Sequence, residues 1–380
     1  MPTPTYIHQY LLDILSDLEF RNKVLIIYGP RQVGKTTLLH KFLEQKQNYL
    51  LVNGEDIHVQ HYLSSQSIDT LKSFVGNHQL LVIDEAQKIP NIGLNLKLLI
   101  DHTSDLQVIS TGSSSFDLAQ YIGAPLTGRK ITLKMFPLSQ IELNKIENKA
   151  QTRANLEARL IYGSYPEVIL ATDNHERQAY LHELVSSYLY KDILALDGIR
   201  KSKKIIQLLQ LLAFQIGKEV SVTELGQQLE LNKSTVERYL DLLEKTFVLI
   251  NISGFSRNLR KEISKKSRYL FYDVGVRNAV INQFNPLRMR NDIGQLWENY
   301  VLVERLKKQE YFKIWSHNYF WRTYSQQEID WVEEREGQLF GYEIKWQPPA
   351  KIKIPSEWTS TYQNAHFEII HQDNYLEFIG

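Results

Sequence analysis

The chain of 380 residues contains no cysteine. That excludes disulfides, thiolate nucleophiles and cysteine-ligated metals, and it suits a reducing compartment. A surplus of one charge is missing too: 44 Lys and Arg face 43 Asp and Glu, for a net charge of +1. Any surface for a polyanion must therefore come from local clustering rather than from overall charge. No apolar run approaches the roughly 20 residues that span a bilayer. The first residues carry Asp13, Asp17 and Glu19 without a basic leader, so they do not read as a signal peptide. A cytoplasmic protein with no membrane partner is the expectation. There is no internal repeat and no low-complexity tract. The composition, 43% hydrophobic and 23% charged, is that of ordinary globular domains, and the length predicts two or three of them.

Glycine is sparse, at 18 residues, and two glycines frame the most informative stretch. Val24 to Tyr28 is an apolar run of strand length. Gly29-Pro30-Arg31-Gln32-Val33-Gly34-Lys35-Thr36 follows and matches G-x-x-x-x-G-K-[ST] at every position. Thr37 then leads into Leu38, Leu39, Phe42 and Leu43 at helical spacing. Strand, glycine loop and helix make the context in which a short motif becomes a phosphate site. Gly29 and Gly34 let the backbone turn its N–H groups toward phosphate oxygens, and the helix N-terminus adds partial positive charge. Lys35 can reach the β- and γ-phosphates, and Thr36 offers a hydroxyl to Mg²⁺. Gly29 through Thr37 is therefore the expected nucleotide cradle.

Tyr10, Leu11, Ile14 and Leu18 predict a short amphipathic helix before that strand. Further apolar strands are expected at 48–53, 80–84 and 106–109. Alternating strands and helices imply a parallel sheet with ligands at the strand C-terminal ends. Asp84-Glu85 stands at such an end. Four apolar residues followed by two acids is the Walker B arrangement, in which Asp84 holds Mg²⁺ through water and Glu85 orients or deprotonates the attacking water. The plain alternative is a solvated acidic strand end. After the next strand, in residues 110–115, Thr111 or Ser113 is placed to sense the γ-phosphate, against an ordinary serine-rich turn. Arg129, before a strand at 131–133, is a candidate arginine finger acting in cis or from a neighbouring subunit. Its alternative is a surface arginine.

GPRQVGKTT, LLVIDEAQKIP, ISTGSSS, LTGR and the later GSYPEV together resemble a bacterial and archaeal family of AAA-type P-loop ATPases. That family lies near the signalling ATPases with numerous domains, and its members carry a C-terminal domain of unassigned function. The resemblance covers nearly the whole chain, and the ATPase motifs are its most specific part. It implies ATP as the nucleotide and supplies no settled biological role.

Helices are expected at 155–162 and 175–196, around the turn Gly163-Ser164-Tyr165-Pro166-Glu167. From Lys203 the pattern becomes three helices and a β-ribbon. Ile205, Leu208, Leu209, Leu212 and Ile216 form one stripe, and Ser221-Val222-Thr223-Glu224 reads as a capping box. A third helix at 234–244 is followed by strands at 247–252 and 268–272. This predicts a winged helix-turn-helix. Lys233, Ser234, Thr235 and Arg238 would face the major groove of DNA. The wing, 255–268, holds Arg257, Arg260, Lys261, Lys265, Lys266 and Arg268 against Glu262, a cluster suited to phosphate contacts. A packing module with a solvated basic loop is the alternative.

In the last segment a helix carrying Glu298 precedes strands at 328–332 and 339–346. Asp330 followed by Glu343-x-Lys345 resembles the core of PD-(D/E)-x-K nucleases. Side chains at i and i+2 on a strand share a face, so Glu343 and Lys345 project together. Asp330, Glu343 and Glu298 would clamp Mg²⁺ or Mn²⁺, and Lys345 would position or activate water.

The sequence thus predicts an α/β multidomain chain. Residues 1–148 form a parallel-sheet P-loop NTPase domain of AAA type, and 149–202 a helical linker region. Residues 203–291 form a winged helix-turn-helix, and 292–380 a small α/β restriction-endonuclease-like domain. The expected function is Mg²⁺-dependent ATP binding and hydrolysis in association with DNA. The other reading is a nucleotide-switched regulator or protein-binding scaffold without nuclease activity. A homo-oligomer or a protein partner stays open.

Overall fold

The computed structural model describes residues 6–18, 22–103, 105–113, 126–189, 202–257 and 266–380. The chain divides into two compact units, residues 1–138 with Lys245–Phe247, and residues 139–244 with 248–380. Apart from Lys245–Phe247, the segments expected as linker, winged helix and C-terminal domain fall in the second unit. Among the described residues no helix is long and apolar enough to cross a membrane.

The first unit is built on five strands: β1 (Val24–Tyr28), β2 (Tyr49–Asn53), β3 (Leu80–Asp84), β4 (Gln107–Gly112) and β5 (Lys130–Lys134). They form one parallel sheet in the order β2-β3-β4-β1-β5. β3 is buried along its whole length, as a continuous apolar run in a parallel sheet should be. One side of the sheet packs Val24, Ile26, Leu81, Ile83 and Val108 against Leu71, Val75, Ile92, Leu96 and Leu99 from helices Ile68–Val75 and Ile92–His102. Register aligns Tyr28 with Gly112, and Ile83 with Ser110. The loops after β1, β3 and β4 consequently open along one edge of the sheet.

The second unit holds a seven-stranded mixed sheet. Its strands are β6 (Glu219–Val220), β7 (Leu249–Phe255), β8 (Ser267–Phe271), β9 (His317–Arg322), β10 (Glu328–Arg335), β11 (Gln338–Ile344) and β12 (His366–Ile370). Their order is β12-β11-β10-β9-β7-β8-β6. The hairpin β7–β8 and the C-terminal strands are thus one sheet, joined where Ser253, Gly254 and Phe255 pair in parallel with Tyr319, Phe320 and Trp321. Phe255 and Trp321 then share a core with Ile329, Val332, Leu339, Trp358 and Tyr362.

Local chemistry explains the boundaries around this sheet. The helix expected from residue 155 begins at Lys149, because Asn148 and Gln151 cap it reciprocally. At Ser221 only the forward half of the expected capping box forms, with Glu224 N–H donating to Ser221 Oγ. The turn Gly163-Ser164 packs on Asp273, whose carboxylate accepts from Ser164, Gly275 and Val276 N–H at 2.7, 2.8 and 3.1 Å. Helix Ile293–Tyr311 ties the two parts of the sheet together. Asn299 bonds both the N–H and the carbonyl of Phe271 in β8, and Arg305 grips Glu333 in β10 with a two-pronged contact at 2.7 and 2.9 Å.

At the start of that helix Asp292 lies between Arg277 (2.6 Å) and Arg290 (2.8 Å). Burial pushes its carboxyl up, but the two guanidinium groups outweigh burial and hold it below the usual carboxylate range. A depressed native pKa adds stability above the unfolded value, and that stability is lost as pH falls through the native one. Asp292→Asn should therefore lower stability at pH 7 by about 3 kcal/mol, since it leaves buried arginines without their counter-charge. It should also flatten the loss of stability below pH 4, read from denaturant unfolding between pH 3 and 7.

Candidate functional site

The loop after β1 owes its shape to two glycines. Gly34 takes φ +97° as the cap of helix Lys35–Leu43. At Gly29 a Cβ would lie 2.1 Å from the Met135 carbonyl oxygen, so the strand can pass there only without a side chain. The Lys35 ammonium, 6% exposed, donates to the carbonyls of Gly29 (3.0 Å) and Pro30 (2.6 Å). Pro30 and Val33 are buried, Arg31 half-buried, and Gln32, Thr36 and Thr37 exposed. Gln9, 4% exposed, donates from Nε2 to the Val33 carbonyl at 2.9 Å and so braces the loop from the preceding segment.

The tips of β3 and β4 meet this loop. Asp84, 8% exposed, accepts from Thr36 Oγ1 at 2.7 Å through Oδ2 and from Thr111 Oγ1 through Oδ1. Thr111 Oγ1 in turn accepts from the Glu85 N–H at 3.0 Å. Glu85 adopts φ +54°, which turns the chain sharply after the strand. Gln87 Nε2 donates to Glu85 Oε2 (2.6 Å) and to Ser113 Oγ (3.0 Å). Thr36, Asp84, Glu85, Thr111 and Ser113, each singled out in the sequence, are therefore one hydrogen-bonded constellation, and Lys35 stands next to Thr36 in the chain with its ammonium on the glycine loop. Ser114 and Ser115 lie outside the described residues.

Gln9 and Gln87 were not foreseen. Gln87 could have been found from its place two residues beyond Glu85. Nothing in the local sequence signals that Gln9 reaches a loop 24 residues away.

Arg129 requires a correction. Its carbonyl accepts from the Val24 N–H, and Lys130 pairs with Val24, which places it at the start of β1 rather than its end. At about 3.3 Å per residue that is roughly 16 Å from the phosphate loop, and its Nε is paired with Asp101 at 2.6 Å. It is not a finger in cis for this site.

In the second unit a register shift between Ile329 and Val332 bulges β10 at Asp330. Such bulges re-aim a side chain, and Asp330 accepts from the Ile344 N–H at 2.9 Å. Lys345 donates to Glu343 Oε1 at 2.5 Å, so these two do project together. The expected metal clamp is not what surrounds them. Arg268 of β8 enters instead, with Nη1 at 3.7 Å from Glu298 and 3.6 Å from Asp330, and Nη2 at 3.1 Å from Glu328. Among the described residues no group of three or more carboxylates or histidines is disposed to hold a metal ion. The guanidinium is the counter-charge that these carboxylates share.

Burial, then the charge of Asp330, holds the Glu298 carboxyl well above the usual range. Burial raises Asp330 as well, against the Ile344 N–H and Arg268. Burial and Asp330 together push Glu343 up to about 7, with Lys345 opposing.

The basic wing also changes meaning. Arg268 is buried and is no phosphate contact on an exposed ribbon. Arg257 pairs with Glu334 at 2.5 Å and Lys266 with Glu219 at 2.6 Å. Arg260, Lys261, Glu262 and Lys265 lie outside the described residues. On helix Lys233–Lys245, Lys233, Ser234 and Arg238 are exposed and Thr235 half-buried.

Comparison with known proteins bears on the first unit most directly. Residues 21–144 match a family profile described as an AAA domain. Residues 153–287 and 293–373 match two domains of unknown function, DUF8612 and DUF4143. Uncharacterised proteins of Mycobacterium tuberculosis and Mycobacterium bovis are each 26% identical over 330 residues, covering 86% of this chain and 70% of the relative. One from Methanocaldococcus jannaschii is 25% identical over 339 residues, covering 83% and 74%. Among solved structures the chain is similar to a Walker-type ATPase of Pyrococcus abyssi, at 15% identity and a TM-score of 0.47, over 72% of this chain and 93% of the other. It is also similar to a signal-transduction ATPase with numerous domains and a tetratricopeptide-repeat sensor from Pyrococcus horikoshii, at 15% identity and a TM-score of 0.29, over 82% and 48%. The profile match, together with the parallel sheet and its glycine loop, makes the first unit an AAA-type P-loop domain.

Proposed function

We propose that the first unit binds ATP with Mg²⁺ and hydrolyses it. The observation that carries this reading is the Asp84 carboxylate, held by the hydroxyls of Thr36, which follows Lys35 on the glycine loop, and of Thr111. Phosphate oxygens would replace the Gly29 and Pro30 carbonyls as partners of Lys35, with backbone N–H groups of residues 29–37 completing the cradle. Thr36 and Asp84, the latter through water, are the residues that would hold Mg²⁺. When bound, that ion neutralises charge developing on the β- and γ-phosphates. Glu85 orients the attacking water and takes its proton, and Gln87 fixes the Glu85 carboxylate for that task. Thr111 and Ser113 are placed to report whether a γ-phosphate is present.

In a phosphate-release assay Lys35→Ala should lose binding and turnover together. Glu85→Gln should keep nucleotide affinity and lose turnover by about a hundredfold or more. Turnover unchanged in Lys35→Ala would remove the assignment.

For the second unit the proposal is DNA association, with the helix bearing Lys233, Ser234 and Arg238 as its contact and a nuclease-like set of Glu298, Asp330, Glu343 and Lys345. The paired strands and the Glu343–Lys345 contact support that reading. A second reading, a nucleotide-switched regulator without nuclease activity, is favoured by Arg268 standing among those carboxylates. Purified protein incubated with duplex, single-stranded and nicked DNA separates the two, given Mg²⁺ or Mn²⁺ and tested with and without ATP. Cleavage that vanishes in Asp330→Ala makes the carboxylate set catalytic, and no cleavage on any substrate leaves the regulator.

A further inference from the structure

The carboxylate cluster of the second unit has an internal cation supplied by a different part of the chain. Arg268 lies in β8, while Glu298 comes from helix Ile293–Tyr311 and Glu328 and Asp330 from β10. The arginine is only 6% exposed. Its guanidinium stacks over the Phe320 ring, 4.6 Å from the centroid, and points into the cluster. Two of its three carboxylate contacts, at 3.6 and 3.7 Å, exceed hydrogen-bond range, and Nε has no partner. It is held among these acids chiefly by charge and stacking rather than by a forked pair.

The acids are under-neutralised. Glu298, Glu328, Asp330 and Glu343 face two cations, Arg268 and Lys345. Glu343 Oε2 is buried without a hydrogen-bond partner. Oxygen donors on three elements converging on excess negative charge suit a hard divalent cation. A guanidinium between Glu298 and Asp330 stands where those oxygens would have to close on one.

We propose that Arg268 and a divalent cation occupy this cluster in mutual exclusion, so that Arg268 is a built-in blocking cation. The proposal rests on reading the carboxylates as a cation site, and it adds a regulator of that site that comes from β8. Exclusion is a charge effect with a sterically fixed source, because β8 is an internal strand paired on both sides and only the side chain can withdraw.

The test is Mn²⁺ binding to the full chain without nucleotide, followed by paramagnetic resonance of the free ion. Arg268→Met keeps the length and the apolar contact with Phe320 and removes the charge. It should bind Mn²⁺ at least tenfold more tightly than wild type, and Asp330→Asn added to it should abolish the gain. Equal affinities in wild type and Arg268→Met, or a gain indifferent to Asp330→Asn, would overturn the proposal. If Arg268→Met does not fold, Arg268→Gln takes its place, since it removes the charge, leaves every carboxylate of the cluster intact and keeps a polar end for Glu328. The same gain in affinity there supports the exclusion, and unchanged affinity contradicts it. An Asp330-dependent gain in Mn²⁺ affinity without DNA cleavage by Arg268→Met supports the exclusion while refuting the nuclease reading, so the two fail separately.

Discussion

The first unit's site depends on one carboxylate. Asp84 ends a strand with no exposed residue, and its two oxygens are taken by hydroxyls from two other elements, Thr36 after the glycine loop and Thr111 on β4. Because the strands are parallel and in register, the three segments arrive at the same edge, and the hydrogen bonds fix their spacing to within a side chain's reach. Glu85 and Ser113 are joined through Gln87 for the same reason. The Thr36 hydroxyl and the Asp84 carboxylate touch directly at 2.7 Å, and the Lys35 ammonium is held on the glycine loop by the Gly29 and Pro30 carbonyls. On the proposed function, a bound cation would come between these two oxygens and phosphate would take the ammonium from the two carbonyls.

In the second unit the corresponding constraint is the parallel join of Ser253–Phe255 to Tyr319–Trp321. It merges the ribbon and the C-terminal strands into one sheet and carries Arg268 into the company of Glu298 and Asp330. The same continuity engages the basic residues of the β7–β8 ribbon. Arg257, Lys266 and Arg268 all meet carboxylates of their own unit, so the described part of the ribbon presents less free positive charge than its composition suggests.

Much of the first unit was legible in the sequence because its signals are local. A strand, a glycine loop and a helix follow one another without a break, and an apolar run ending in Asp84-Glu85 announces itself within six residues. Arg129 failed because a flanking glycine does not say at which end of the sheet a loop lies, and only the parallel register of β5 with β1 settles that. Glu343 and Lys345 were found together by strand alternation. Arg268 was misread because its partners are 30 to 62 residues further along the chain and on other elements, a distance over which composition carries no information. The turn Gly163-Ser164 had no readable role either, since its partner, Asp273, is 109 residues away from Ser164.

The central claim, that the Lys35–Thr36–Asp84 constellation is a metal–nucleotide site, is tested most directly by thermal unfolding with a non-hydrolysable ATP analogue. A ligand at about a hundred times its dissociation constant adds about 2.7 kcal/mol to the unit that binds it. The account predicts a rise of several degrees with analogue and Mg²⁺ together, a smaller rise with analogue alone, and none in Lys35→Ala. An unchanged midpoint for the wild-type protein at millimolar analogue and Mg²⁺ would contradict it.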